Sequence, residues 1–390
     1  MFKNLFFLIF IWILIPSQAI SQEIQEVVVL EKKLTSLSGW SNNQSISSID
    51  EKELKDLDAQ HPKQIFRRSP GIWISRGSGQ EHLTAIRSPV LTGPGACGSF
   101  LVLEDGIPVR PTGFCNVNGL FETFFEMASN IETIRGPASA RYGANAMHGV
   151  INILSKPINS ENMIYANLGP NNYKNFKIRA GNKQDWSFGG SFVNNDGFRD
   201  QSGYDQQKVK MQSKFTIASW NASMRATFTN LNQETAGYVN GLNSYKNESF
   251  SNQNFNPDAY RDAKSQRISL ILTKEINNSI NSITPYIRNN DMKFFQHFLP
   301  GTPLEENNHI SAGVIFQSIT NFKNFNFIRG LQVDLAKVEL TETQKNVLTN
   351  SSAFNNATRP QGKHYDYEVD SFVYAIFAGI EEYYINENLN

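Results

Sequence analysis

The sequence predicts an exported chain in two parts: a small α+β domain, then antiparallel transmembrane β-barrel strands. Three observations predict it. A targeting segment opens the chain. A Gly- and Pro-dense yet apolar stretch from Glu132 to Ile153 divides it. Beyond Met163, apolar and polar residues alternate with period two.

The first 21 residues read as a signal peptide. Lys3 supplies the positive start, and Leu5 to Ile15 form an apolar run closed by Pro16. The run is too short to cross a bilayer, which takes about 20 helical residues. Ala19 and Ser21 offer small residues for cleavage before Gln22 or after Ala19. Export bears on Cys97 and Cys115, the two cysteines of the chain. Outside the cytoplasm such a pair persists as a disulfide, worth about 3 kcal/mol for a loop of this length. A zinc site is the rival, but two cysteines without nearby histidine lack four tetrahedral ligands.

Lys plus Arg equals Asp plus Glu at 36 each, so bulk charge gives no support to nucleic-acid binding. Mean hydropathy is −0.39. This does not exclude a membrane protein, because transmembrane strands average apolar and polar faces.

Residues 22–47 form a polar segment with one β-branched run, Glu26, Val27, Val28 and Val29. The run either adds as a strand to a partner's sheet edge or becomes an edge strand of the next domain. Residues 48–157 make up the small domain. Ser48 or Asp50 caps a first helix, and a second covers Pro62 to Arg68 before Ser69-Pro70-Gly71. Strands are expected at Ile72 to Ser75, Leu83 to Arg87 and Phe100 to Leu103. Asp105-Gly106 is a hairpin turn leading to Ile107, and Leu120 to Ala128 reads as a short helix. Gly93 to Gly98 matches G-x-G-x-x-G, but a strand follows it where a dinucleotide site needs a helix. Glu104 and Asp105 fail as an acid/base pair, since neighbours on a strand point to opposite faces. No catalytic residues, no metal site and no cofactor are expected.

The stretch from Glu132 to Ile153 reads as a hinge between the two parts, with Gly136, Pro137, Gly143 and Gly149 placed for sharp bends or close backbone approach. Residues 158–390 follow as wall. Trp220, Ala222, Met224, Ala226 and Phe228 alternate with Asn221, Ser223, Arg225, Thr227 and Thr229. Ile268, Leu270 and Leu272 repeat the pattern. Connections alternate between short, as at Ala218-Ser219, and long, as at 231–263. Short periplasmic turns and long external loops give barrels that habit, whereas a soluble sandwich has no reason for it. About ten strands of roughly ten residues each are expected.

Several motifs, in order, resemble those of TonB-dependent outer-membrane receptors. Glu26 to Val29 is similar to the TonB box. Ile65 to Ile72 resembles the family's helix end before a Pro-Gly turn. Ile86-Arg87 stands where the family has Ile-Arg-Gly, with Ser88 replacing the glycine. Leu103 to Val109 resembles its Asp-Gly hairpin, carried by Asp105 and Gly106. Arg135, Gly136, Pro137, Ser139, Tyr142 and Gly143, followed by Gly149 to Ile153 with Asn152, resemble its most specific signature. Arg141 replaces an apolar residue there, and is expected to pair with a wall carboxylate. The resemblance implies that residues 48–157 are a plug inside a barrel, with Glu132 to Ile153 no longer a hinge but the last plug signature and the lead-in to the first barrel strand. It places 88–98 and 111–118 on the outer face, tied by Cys97 and Cys115 as a structural staple or as ligand contacts.

It implies TonB and outer-membrane lipid as partners, no nucleic acid, a periplasmic N-terminus, and uptake of a scarce ligand such as a siderophore or vitamin. The ligand and its binding residues have no readable code. A plug with a radius of about 13 Å does not fit ten strands, and the resemblance implies about twenty-two. The chain therefore reads as a truncated receptor, a plug with part of its wall. The alternatives are a non-transporting receptor fragment and a secreted β-rich binding protein.

Overall fold

The computed structural model describes residues 35–37, 45–92, 97–349 and 351–382. Glu26 to Val29 lie outside the described residues.

The plug begins with a strand astride the expected boundary at residue 48, where the sequence suggested only polar tail and a helix cap: β1 (Ile46–Asp50). Its alternating serines give a weak apolar signal. It forms because it pairs in register with a later strand, Ile46 opposite Ile134. Asp50 then caps α1 (Glu51–Leu57), accepting the Glu53 N–H. His61 caps α2 (Pro62–Phe66), with Gln64 reaching back in a capping box and Pro62 pre-setting the first turn. A two-stranded ribbon of β2 (Ile72–Ile74) and β3 (Thr84–Ile86) follows.

The central sheet adds β4 (Phe100–Glu104), β5 (Ile107–Pro108), β6 (Ala128–Arg135) and β7 (Gly149–Ser155), in the order β1-β6-β7-β4-β5. β4 and β7 run parallel. Phe100 to Leu103 and Gly149 to Leu154 are buried without alternation, because the sheet is covered on both faces. One face packs Ile49, Ile65, Phe66, Val102, Leu120, Phe125 and Ile151 together. The other packs Leu101, Leu103, Ile134, Ala146 and Val150.

Two expectations change here. Residues 120–128 form two 3-10 turns, Gly119–Glu122 and Phe125–Met127, and not one helix. The stretch from Glu132 to Ile153 is no hinge between domains. β6 and β7 are adjacent antiparallel strands of the plug sheet, joined by an excursion that holds α3 (Ser139–Tyr142). Gly149 is required because any Cβ would strike the Ile134 carbonyl on the neighbouring strand. The passage to the wall is made by residues 156–162.

The wall is an antiparallel sheet of ten strands in sequence order among the described residues, and its first and last strands do not pair with each other. They are β8 (Met163–Gly169), β9 (Tyr173–Gly181), β10 (Trp186–Asn195), β11 (Tyr204–Ile217), β12 (Trp220–Glu234), β13 (Tyr260–Ile276), β14 (Ser279–Phe295), β15 (Leu304–Asn321), β16 (Phe325–Gln344) and β17 (Gly362–Glu382). The later strands far exceed the expected ten residues, and β17 has 21. A tilted strand needs only about 9–11 residues to cross hydrocarbon, so these strands run well past it. The outer side is also not uniformly long-looped. The short turn at 170–172 lies there, its Asn171 carbonyl accepting the Asp196 N–H of the β10–β11 loop.

Register turns alternation into two faces. Ala226, Ile268, Ile287, Ala312, Leu335 and Phe372 stand opposite one another across β12 to β17. Leu272, Ile283, Phe316, Leu331 and Ile376 form a second apolar rank. Phe372, Ile376 and Leu335 are exposed. The opposite face contains the rank Lys210, Thr227, Arg267, Arg288 and Ser311, all of it buried. A slip of one residue on any strand would exchange the two faces.

Candidate functional site

That inward basic rank meets the acidic rim of the plug. The β4–β5 hairpin closes through Asp105 and Gly106 alone, with φ of +53° and +79°, a type I′ turn. The reversal rolls Asp105 around, so that Glu104 and Asp105 face the same wall strands. Lys210 Nζ lies 2.8 Å from Asp105 and 3.4 Å from Glu104. Arg225 Nη1 is 2.9 Å from Asp105, and Arg267 Nη2 is 2.6 Å from Glu104. Neighbouring side chains point apart along a regular strand but not at its turn. Both carboxylates are held by the wall, so turn geometry is only part of the work of Asp105.

The surrounding groups complete the site. Glu104 also accepts the Phe124 N–H at 3.0 Å and the Thr227 hydroxyl at 3.1 Å. Asp105 accepts the Ser155 N–H at 2.8 Å and its hydroxyl at 2.6 Å. Burial raises the Glu104 pKa, but the cations of Lys210 and Arg267 outweigh it and hold the carboxyl at about 2. Glu126 binds Lys208 at 2.7 Å. Glu122 is shared by Arg110 and Asn290, while Arg267 donates to the Glu122 carbonyl at 2.7 Å. Arg288 spans Asp334 at 2.6 Å and the Pro108 carbonyl at 3.0 Å. Beside these ions, Phe121 inserts among Tyr173, Val193, Tyr204, Leu231 and Met292 of the wall. The site is chemically a clamp. Ions this buried offset each other only while paired, and removing one partner costs about 3–5 kcal/mol.

Toward the outer loops neutral contacts join one further ion pair, Arg261 of β13 with Glu81 of the plug at 3.5 Å. Gln233 accepts the Gln80 N–H at 2.6 Å, and Ser78 exchanges hydrogen bonds with the Ala236 backbone. Cys97 and Cys115 are bonded to each other, with Cα atoms 4.4 Å apart. In the loop they close, the Phe114 ring meets His309 of β15 edge-on at 4.9 Å. Beneath it, Arg110 donates to the Cys115 carbonyl. His82 is fully buried. It accepts the Leu120 N–H and is hydrogen-bonded at Nδ1 to the Gln80 carbonyl, and burial lowers its pKa to about 3.

The remaining signature residues lie on the plug outside this clamp, and Asn152 alone among them bonds its turn. Arg87, with φ +46°, donates to the Arg135 carbonyl at 3.1 Å, and Arg135 to the Pro70 carbonyl at 2.8 Å. Gly136 and Gly143 take φ of +133° and +82° on either side of Pro137 and α3, which carries Ser139 and Tyr142. Burial lowers the Arg141 pKa to about 9, against the opposing fields of Tyr142, Glu381 of β17 and Glu132. Asn152 donates to the Thr35 carbonyl at 2.8 Å and accepts the Gly106 N–H at 3.0 Å. The wall bases Lys208, Lys210, Arg267 and Arg288 were not singled out from sequence. Their signal was basic residues recurring in the polar phase of alternating strands.

Residues 40–150 match the family model described as the TonB-dependent Receptor Plug Domain. The fold is similar to that of the ferric citrate transporter FecA, unliganded, at TM-score 0.65 and 14% identity over 87% of this chain and 54% of that one. It is similar to the ferric yersiniabactin uptake receptor FyuA from Yersinia pestis, at TM-score 0.60 and 16% identity over 77% and 50%. The siderophore receptor PiuA from Acinetobacter baumannii matches at TM-score 0.59 and 14% identity over 86% and 54%. This chain spans about half the length of these solved structures. Residues 40–150 thus carry a TonB-dependent receptor plug domain, and the described chain has the fold of such receptors, that plug followed by antiparallel β-barrel strands.

Proposed function

We propose that this chain supplies the plug and wall strands of an outer-membrane receptor, energised by TonB, that imports a small scarce ligand. Iron chelates are the ligand class best supported, because FecA is a ferric citrate transporter and FyuA a ferric yersiniabactin uptake receptor. The observation that carries the reading is the clamp. A folded domain sits against the inward face of a lipid-ready wall and is held by buried ion pairs. No solute passes beside such a plug until those pairs are displaced, and displacing several of them needs external work. The outward apolar ranks on β12 to β17 support a membrane wall over a secreted binding protein.

In this reading Glu26, Val27, Val28 and Val29 are the segment on which TonB pulls, by adding a strand to it. The ligand enters from the side of the long loops. The plug strands and the wall move the ligand without chemical change to it, so the chain is a transport receptor and not an enzyme. The test is Val28→Pro in a receptor carrying this sequence within its full-length protein, because proline removes a ladder donor. Energised uptake of a radiolabelled ferric chelate is expected to fall to background while ligand binding at the cell surface persists. Unchanged uptake would remove Glu26 to Val29 from this role.

A further inference from the structure

The segment Thr35 to Leu37 follows the run at Glu26 to Val29 and is sewn into the plug. Leu37 is 1% exposed, packed with Leu101, Leu103, Ile134 and Val150. Its N–H donates to Glu132 at 2.5 Å, and the Ser36 hydroxyl donates to the same buried carboxylate. The Thr35 carbonyl accepts from Asn152.

Asn152 has a second partner. Its amide oxygen accepts the N–H of Gly106, in the turn whose Asp105 holds Lys210 and Arg225 of the wall. The tail also touches that turn directly. A Cβ placed on Gly106 would lie 3.3 Å from the Thr35 Cα, so glycine serves both the positive φ and this close approach. Two separate contacts therefore join the tail to the turn, and the turn is one bond from the wall.

We propose that Thr35–Leu37 is a latch on the wall-facing turn, with Asn152 as its coupling piece. While the latch is seated, Asn152 and the Thr35 backbone hold Gly106, and Gly106 holds Asp105 against Lys210 and Arg225. Withdrawal of the tail toward the N-terminus leaves the Asn152 amide without its carbonyl and opens the space beside Gly106. The turn then loosens, and the Asp105 pairs are the first wall contacts to weaken. The order of release is set by connectivity: tail, then turn, then clamp. What does the pulling rests on the receptor reading, whereas the latch does not.

Hydrogen exchange of the full chain in detergent micelles, with no partner present, tests the latch. Leu37→Ala empties the apolar socket, and Glu132→Gln weakens the acceptor of the Leu37 N–H while keeping its shape. In both variants, exchange at 35–37 should rise, and exchange at Gly106 and Ser155 should rise with it by about tenfold, the loss of roughly one hydrogen bond. β2 and β3 should be unchanged. Free exchange at 35–37 with Gly106 and Ser155 still protected would overturn the coupling. A rise spread equally over β2 and β3 would also overturn it, since that is general loosening of the plug. Because no TonB and no ligand enter this measurement, its failure would leave the uptake reading standing.

Discussion

The plug sheet and the wall sheet are both β-structure, yet their sequences follow different rules. In the plug, β4 and β7 are buried on both faces and read as continuous apolar runs. In the wall, β13 and β14 alternate at every residue, one phase against the plug and the other outward. The pattern therefore reports what covers each face of a strand and not the strand itself. A second contrast lies at the seam. The plug contributes Glu104, Asp105 and Glu126, and the wall answers with Lys208, Lys210, Arg225 and Arg267. Each region alone would carry an uncompensated charged face, so the seam stays closed because neither side is stable without the other.

The strongest way to break this comparison is to unbalance the seam. Arg267→Leu leaves Glu104 with one cation fewer in a buried site. It should lower plug stability by about 3–5 kcal/mol, read by denaturant unfolding of the micellar protein. Adding Glu104→Leu should recover most of that loss. No recovery would mean that the pair acts through packing alone.

The outward face gives the next largest effect. Leu270→Lys puts a charge in an apolar rank and should cost about 2–4 kcal/mol of insertion stability in lipid vesicles. Asp262→Lys, further along the same strand toward the long loops, should cost about 0–1 kcal/mol. Equal costs would show that the outward ranks do not meet lipid.

Acid sharpens the contrast on the plug side. His61 and His82 are held neutral by burial, with pKa values lowered to about 4 and about 3. The unfolded chain takes up protons at about 6.5 and the folded plug does not, so plug stability should fall as pH drops from about 6.5 toward 3. Glu104 adds a further fall between about 4.5 and 2, where the unfolded carboxyl protonates and the folded one stays ionised. His82→Gln should flatten the first slope, measured by the unfolding midpoint against pH. An unchanged slope would show that His82 is already exposed to solvent protons.

The smallest effect lies at a local feature. Asp50→Ala removes the cap of α1 and should cost about 1 kcal/mol without disturbing the seam, measured by the same unfolding curves. A larger loss would mean that β1 and α1 hold the plug against the wall.

Much of this was legible before any coordinates. The Asp105-Gly106 turn, the cap at Asp50 and the period of the wall are local matters, decided by sterics over a few residues. β1 was missed because Ile46 to Asp50 has little apolar character, and its pairing with β6 comes from residues 80 or more positions away. The lengths of the later strands were underestimated because their outer halves are polar on both faces, as at Asp205, Lys264 and Glu306, and polar strand looks like loop. The basic clamp escaped notice because Lys210 and Arg267 are ordinary members of a polar phase until register aligns them.

The sequence by itself therefore determined which stretches bend, which residues of each wall strand form its apolar phase, and that one part is a small α+β domain with its own core while the other is a wall of alternating strands. These follow from side-chain size, φ preference and water's rejection of apolar surface, all of which act locally. Only the tertiary structure decided that Asp105 meets Lys210 and Arg225, that Asn152 joins Thr35 to Gly106, and that Glu132 to Ile153 is a hairpin of the plug sheet rather than a lead-in to the first wall strand. Those contacts join segments tens to more than a hundred residues apart. The chain can make them only after both sheets have chosen their register, and no local preference carries that information.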